Sequence, residues 1–568
     1  MYKRKLFAGL ASAAMAATLV GCSSGGGASD TLTVGIMQEL DGVFSPIYYQ
    51  TAYDGDVNNL VYQALLKYDV NGDLQPDLAT ELPTVSEDGM SYTFKLKKGV
   101  KFSDGTEFTS SDVKYTFTVC ADPSYSGRFS SVVENIAGYQ EYKNGDAKEL
   151  TGIETPDDYT VVFHTEKPQF DALMNLGTLQ ICSDEQFDYT KGDTSEIESN
   201  TDKPIGTGPY VLNKYDKATG ASLVRNENFE AKEGEYSVQK VIIKKTDTST
   251  EYDELVNGTI DLLPAIMEQN KVGPASLNKD LSFNHYKRAG VGYMAFNTVN
   301  GATKDVAVRQ ALAYATDRDS FNEVFYGYEE ASDEVKDIPL GYAPQAYWNP
   351  ASKLMGDYVT GEKDVEGLVH YNYDLEKAKA ILDEAGWTVG ADGIREKDGQ
   401  KLEVKFIAVP ENSVLDTLIP MISKSWKEIG VDLKQTTVDF NTLVAMLPDD
   451  SQTSEWNAYF MATGYTGVSD TDSNTQFGVN EEGKPYQDNY PRLNDSEIQG
   501  YLTAAYNTVD EKTAEENYLK AMVRSSQLVS FLPLYGNEYF DLYNNRVKGL
   551  ETGPVHTWSN ALDKVTLD

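Results

Sequence analysis

Apolar and polar residues alternate through Tyr92, Thr93, Phe94, Lys95 and Leu96, and Val100 and Phe102 keep that phase beyond Gly99. Period two predicts a strand with one buried face. Asp104-Gly105 supplies a tight turn. Thr109-Ser110-Ser111-Asp112 then has the form of a capping box, opening a helix with Val113 and Phe117 on one side. Upstream, Leu32, Val34 and Ile36 alternate as a first strand, and Val57, Leu60, Val61 and Leu65 share a helix face. Asn71-Gly72 closes a hairpin, and residues 160–164 form a further apolar strand. Gly206-Thr207-Gly208-Pro209-Tyr210 is a tight turn into a strand, with glycines where the backbone needs freedom.

The second half alternates the two periods. A strand at residues 294–297 precedes a helix with Val308, Ala311, Leu312 and Ala315 at i, i+3, i+4 and i+7. Asp374 caps a helix carrying Leu375, Ala378, Leu382 and Ala385, which Gly386 ends. A strand at 402–409, a helix marked by Leu418, Ile422 and Ile429, and a strand at 431–438 follow. Residues 496–530 form a helical pair. This alternation predicts α/β architecture.

Composition narrows the function. A chain of 568 residues is long enough for two or more cores. Its net charge of −39 is spread along the sequence, which argues against nucleic acid as a partner. Lys3, Arg4 and Lys5 precede an apolar run from Leu6 to Leu19, a secretory leader too short for a membrane span. Ser23 to Ser29 is a flexible tether. In an exported protein, Cys120 and Cys182 are either a disulfide or two buried thiols. The four histidines show no metal-ligand spacing, and no hydrolase elbow, zinc-protease or nucleotide-loop motif occurs, so neither catalysis nor a cofactor is expected. Asp470, Asp472, Asn474 and Glu481 have EF-hand offsets, but Thr475 stands at the glycine position, and a solvated acidic loop is the better reading.

Three stretches carry a family resemblance: residues 72–117 with its P-x-L-A, S-x-D-G-x-x-Y-T-F-x-L and G-V-K-F-x-D-G series, the turn at 206–210, and VRQALAYATDR at 308–318. Together they resemble the extracellular solute-binding proteins of ABC importers that take up oligopeptides, dipeptides and nickel chelates. The resemblance implies a two-lobed, periplasmic-binding-protein-like α/β fold with an accessory lobe inserted in the first domain. Its parts would be a signal peptide over 1–21, a lipidated Cys22 and tether over 22–31, and domain I over 32–79, 201–290 and 533–568. The accessory lobe would span 80–200 and domain II 291–532. Leu19-Val20-Gly21-Cys22 resembles a lipoprotein cleavage box, placing the protein on the outer face of the cytoplasmic membrane through two acyl chains. The implied function is capture of an oligopeptide by a monomer that delivers it to a permease; a nickel chelate, another small solute or a sensory role are alternatives. The implied cleft residues are Phe44, Ser45, Tyr49, Arg128, Tyr347, Trp348, Tyr465, Thr466 and Gly467. Peptide-binding relatives place an aspartate for the ligand ammonium where this chain has Val468, so either Asp470 or Asp472 reaches in from a shifted loop or the ligand has no free ammonium at this point.

Overall fold

The computed structural model describes residues 30–568 except Thr466 and Glu481, so the leader, Cys22, and the expected roles of Thr466 and Glu481 lie outside the described residues. One sheet runs through the whole molecule. Its strand order is Asp432–Thr437, Glu403–Ala408, Ala458–Gly464, Leu281–Phe296, Phe531–Asn544, Leu262–Ile266, Thr31–Ile36, Lys240–Lys245, Gly220–Arg225 and Tyr210–Asp216. The outer strands on each side belong to separate lobes. Leu281–Phe296 and Phe531–Asn544 pair antiparallel from Leu281↔Asn544 to Ala295↔Phe531 and cross from one lobe to the other. Their register shifts between Lys287 and Val291 and again between Gly292 and Tyr293.

One apolar cluster runs from Leu255, Leu263 and Ile266 across the crossing strands to the second-lobe helices, and others lie to either side of it. Leu32, Val34, Leu60 and Val241 centre the first lobe, while helix Val306–Tyr314 and helix Ser413–Glu428 cover one face of the second-lobe sheet. Helices Ser496–Tyr506 and Glu511–Leu528 cover its other face. A separate antiparallel sheet orders Thr84–Val85, Ser91–Lys95, Thr160–His164 and Ile153–Asp157, packed under helix Ser110–Cys120. Thr109 and Asp112 form the expected capping box of that helix. These features make a two-lobed α/β fold with an accessory sheet.

Three local expectations need correction. The strand through Tyr92 ends at Lys95, because Gly99 turns at φ +74° and sends residues 101–107 into a separate turn. Leu65 lies beyond the first helix, Ala52–Val61, since Tyr62 is extended and the Val61 carbonyl accepts the Gly208 amide at 2.8 Å. The short strand expected at 294–297 is the end of a sixteen-residue strand.

The resemblance-bearing stretches meet at joints. The Gly206 carbonyl accepts the Ser103 amide at 2.9 Å, and Asn228 Nδ2 donates to the Phe102 carbonyl at 3.0 Å, so the 206–210 turn and the 102–105 hairpin lock the accessory sheet to the first lobe. Arg318 donates to the Pro344 and Pro533 carbonyls at 2.7 and 3.0 Å, fixing the 308–318 helix region to a crossing strand.

Candidate functional site

The loop after strand Thr31–Ile36 divides its residues between framework and cleft. Phe44 is fully buried, edge-on to Tyr215 at 5.0 Å. Ser45 is buried too, and its carbonyl accepts Asn58 Nδ2 at 3.3 Å. Tyr49 instead faces a cavity of about 250 Å³ together with Phe129, Met174, Asn175 and Gly467. The Tyr49 and Phe129 rings lie 5.4 Å apart, and the Arg128 guanidinium sits 4.4 Å from the first and 4.8 Å from the second.

A second cavity, about 300 Å³, shares Asn59, Tyr68, Thr178 and Gln180 with the first. Its far wall is the C-terminal segment with Val555, Thr557, Ser559 and Asn560. Asp56 holds that segment in place: its carboxylate accepts Ser559 Oγ at 2.7 Å, Trp558 Nε1 at 3.1 Å and Thr557 Oγ1 at 3.3 Å. Burial pushes its pKa up to about 6 against those hydrogen bonds. Apart from Lys67 and Asp77, the polar lining is carboxamide, hydroxyl and ring, a surface that pairs with neutral polar groups while stacking on flat apolar ones.

The second lobe contributes the cover. Strand Ala458–Gly464 leads to Tyr465 and Gly467. Gly467 turns at φ +56°, and a Cβ there would meet Val555 Cγ1 at 3.0 Å, so only glycine lets the backbone approach the first lobe this closely. Asn349 Nδ2 donates to the Gly467 and Ser469 carbonyls at 3.0 and 2.9 Å. Val468 packs toward the Gly72 hairpin, where a Cβ on Gly72 would lie 3.4 Å from it. Lys353 pairs with Asp73, and the Phe170 amide donates to the Tyr506 carbonyl at 2.8 Å. The lobes are in contact around the cavities.

Asp470 does not reach the cleft. It is 2% exposed and accepts Trp348 Nε1 at 2.9 Å and Ser352 Oγ at 2.6 Å. Burial pushes it up to about 7. The acidic stretch is thus no solvated loop: Asp470 is a buried tie, and Asp472 opens the short helix Asp472–Gln476. Tyr347, stacked 4.1 Å from Phe531, and Trp348 are core residues rather than cleft residues, while Tyr465 packs on the same core. The geometry therefore brings together Tyr49, Arg128 and Gly467 from the expected set. Asn59, Tyr68, Asn175, Thr178 and Gln180 join them without having been expected. A sequence signal existed only for Asn59, one turn from Asp56 on the helix side opposite Val57, Leu60 and Val61.

Cys120 and Cys182 are free, buried thiols, the second of the two alternatives, and no disulfide joins them. The Cys182 amide is held by Thr116 Oγ1 at 3.0 Å, a helical turn before Cys120, so its backbone is set at the level of Thr116. Burial pushes the Cys120 thiol up to about 12.

A sequence model of bacterial extracellular solute-binding proteins, family 5 Middle, matches residues 73–484. The oligopeptide-binding protein AppA of Bacillus subtilis is 26% identical over 510 residues, 88% of this chain and 81% of that protein. Heme-binding protein A of Haemophilus influenzae is 28% identical over 528 residues, 90% of this chain and 88% of that one. Among solved structures, NikA from Brucella suis in complex with Fe(III)-EDTA aligns with a TM-score of 0.76 at 22% identity, covering 95% of this chain and all of that one (100%).

Proposed function

Because this chain belongs to the bacterial extracellular solute-binding proteins of family 5, which serve ABC importers, we propose that it captures an oligopeptide outside the cell and hands it to a membrane permease. The observation that carries the reading is the cavity of about 250 Å³ walled by the first lobe and the accessory segment and met by Gly467 of the second lobe, in a chain whose two lobes share crossing strands. Carboxamides on its walls suit a peptide backbone, whose amides need a partner for every donor and acceptor they bury. The lobes close by hinge motion, and the closed form is what the permease reads. No covalent step is involved. Cys22 carries the lipid that keeps this monomer at the outer face of the membrane, and the division into 32–79, 80–200, 201–290, 291–532 and 533–568 belongs to the same reading.

One observation favours a second reading, a metal chelate or other small solute. Val468 and Asp470 are both committed to lobe contacts and framework, so neither meets a ligand ammonium. A thermal-shift screen of randomised peptides separates the two. Peptides should raise the melting temperature by mass action. A screen in which no peptide does so, while a nickel–histidine complex or a sugar does, rules out the oligopeptide.

A further inference from the structure

We propose that Gln169-Phe170-Asp171, at the edge of the accessory lobe, is the latch that holds the two lobes shut, and that it holds more firmly as the medium turns acidic. The inference rests on the hinge motion of the proposed function and not on which solute is held. The three residues follow strand Thr160–His164 and lead into helix Ala172–Thr178, whose Ala172 and Leu176 belong to the accessory core. Phe170 belongs elsewhere. Among the described residues it is the one side chain from outside the second lobe in the apolar cluster built on that lobe's helical pair, and its ring lies 6.2 Å from Tyr518. Its amide donates to the Tyr506 carbonyl at 2.8 Å. Gln169 Nε2 donates to the Tyr506 hydroxyl and, at 2.5 Å, to Asp171 Oδ1. Thr471 of the second lobe hydrogen-bonds the same carboxylate. None of the three residues borders either cavity, so a latch here acts on the solute only through the lobes.

Asp171 gives the latch its sensitivity. It is 8% exposed and forms no ion pair among the described residues. Tyr68 and Tyr92 face it from its own side, and Thr471, Tyr506 and Tyr518 from the second lobe. Glu134 acts on Tyr506, Asp470 on Tyr518 and Asp472 on Asp470, so negative charge surrounds the joint. Lys353 and Asp73 pair elsewhere between the lobes, half-exposed, where water screens them. Burial holds the Asp171 carboxyl above its ordinary range, against hydrogen bonds from Gln169, Thr471 and Asn175. When the lobes part, the cover supplied by the second lobe goes and the carboxyl meets water. Closing therefore takes up proton. The closed form gains as pH falls, and the gain is lost as pH rises through the closed-state value.

The test is small-angle X-ray scattering of the solute-free protein at fixed salt, which reads the balance of open and closed molecules as a radius of gyration. From pH 7.5 to pH 5 the radius should fall as the closed-to-open ratio rises about three- to tenfold, within the tenfold per pH unit that one proton can supply. Asp171→Asn, neutral throughout, should be as compact at pH 7.5 as the wild type is at pH 5 and should not respond to pH. Phe170→Ala should be more open at both values and keep the response. A wild-type radius that ignores pH, a response that survives in Asp171→Asn, or a Phe170→Ala protein as compact as wild type overturns the inference. If a randomised peptide mixture still compacts the protein in those cases, the peptide reading stands. A pH response that Asp171→Asn abolishes, with no response to peptides, upholds the latch and counts against the peptide.

Discussion

Asp470 shows how one side chain fixes a wall of the cleft. Its two donors, Trp348 and Ser352, lie more than a hundred residues earlier, and together with Asn349 they weld the cover to the second lobe. The tie is made at a cost, because a carboxylate buried to 2% exposure loses its hydration. Its pKa rises from 3.8 to about 7, so the folded chain holds this proton more tightly than the unfolded chain does. The linked stabilisation is complete below about pH 4 and is lost as pH rises through 7. Asp470→Asn keeps an acceptor for Trp348 and carries no charge. It is expected to raise the melting temperature at pH 8 and to change it little at pH 5; parallel melting curves across that range would place the proton elsewhere. Neither tie could be read from the chain, since nothing local to Ser469-Asp470-Thr471 distinguishes a buried carboxylate from a solvated one. The partners that decide it arrive only with the tertiary fold.

At the scale of elements, legibility followed sequence distance. The capping box at Thr109 and Asp112 is complete within four residues, and it formed as expected. The helix capped by Asp374 likewise runs Leu375–Glu384 with Lys377 donating its amide to the cap at 2.9 Å. The crossing strand Leu281–Phe296 was seen only at its end, because its first half is half-buried at successive positions, Tyr286 and Arg288 among them, and shows no clean alternation. Its central glycine has a steric reason. A Cβ on Gly292 would meet the Tyr535 ring of the partner strand at 2.0 Å, right at the register shift. Gly292→Val should therefore cost about 1–3 kcal/mol through overpacking, read as a lower urea midpoint. A midpoint equal to wild type would mean that the ring has room to turn aside.

For the whole molecule, the buried acids act together. Asp56 and Asp541 are each pushed up to about 6, and Asp470 to about 7, all through burial. Each gives back stability as pH falls through its folded value, and a net charge of −39 adds self-repulsion that protonation relieves. The melting temperature should be higher at pH 5.5 than at pH 7.5 at fixed salt; a scan showing the opposite would mean that carboxylates stabilised by surface partners dominate. The segments that carry the family resemblance hold joints and supply only Asp77 and Pro209 to the cavity walls: the 206–210 turn, the 102–105 hairpin and Arg318 tie lobes and strands together. That is why the architecture was readable and the cleft was not. Residues such as Asn175 and Gln180 come together on the cavity wall only in the tertiary fold, and no fixed spacing announces them.

The paired strands Leu281–Phe296 and Phe531–Asn544 are hydrogen-bonded to each other on both sides of the gap between the lobes. A two-stranded ribbon of this kind twists easily and stretches hardly at all. In the proposed closure, the passage between open and closed forms is a torsion about the ribbon axis at Tyr286–Lys287 opposite Glu538–Tyr539, where neither strand has a paired outer neighbour, beside the register shift at Lys287–Val291. A torsion bar returns toward its rest angle when released. Such a spring would let the empty receptor reopen without spending a bond, and would make the grip on the solute a contest between contacts in the cleft and the wind of the ribbon.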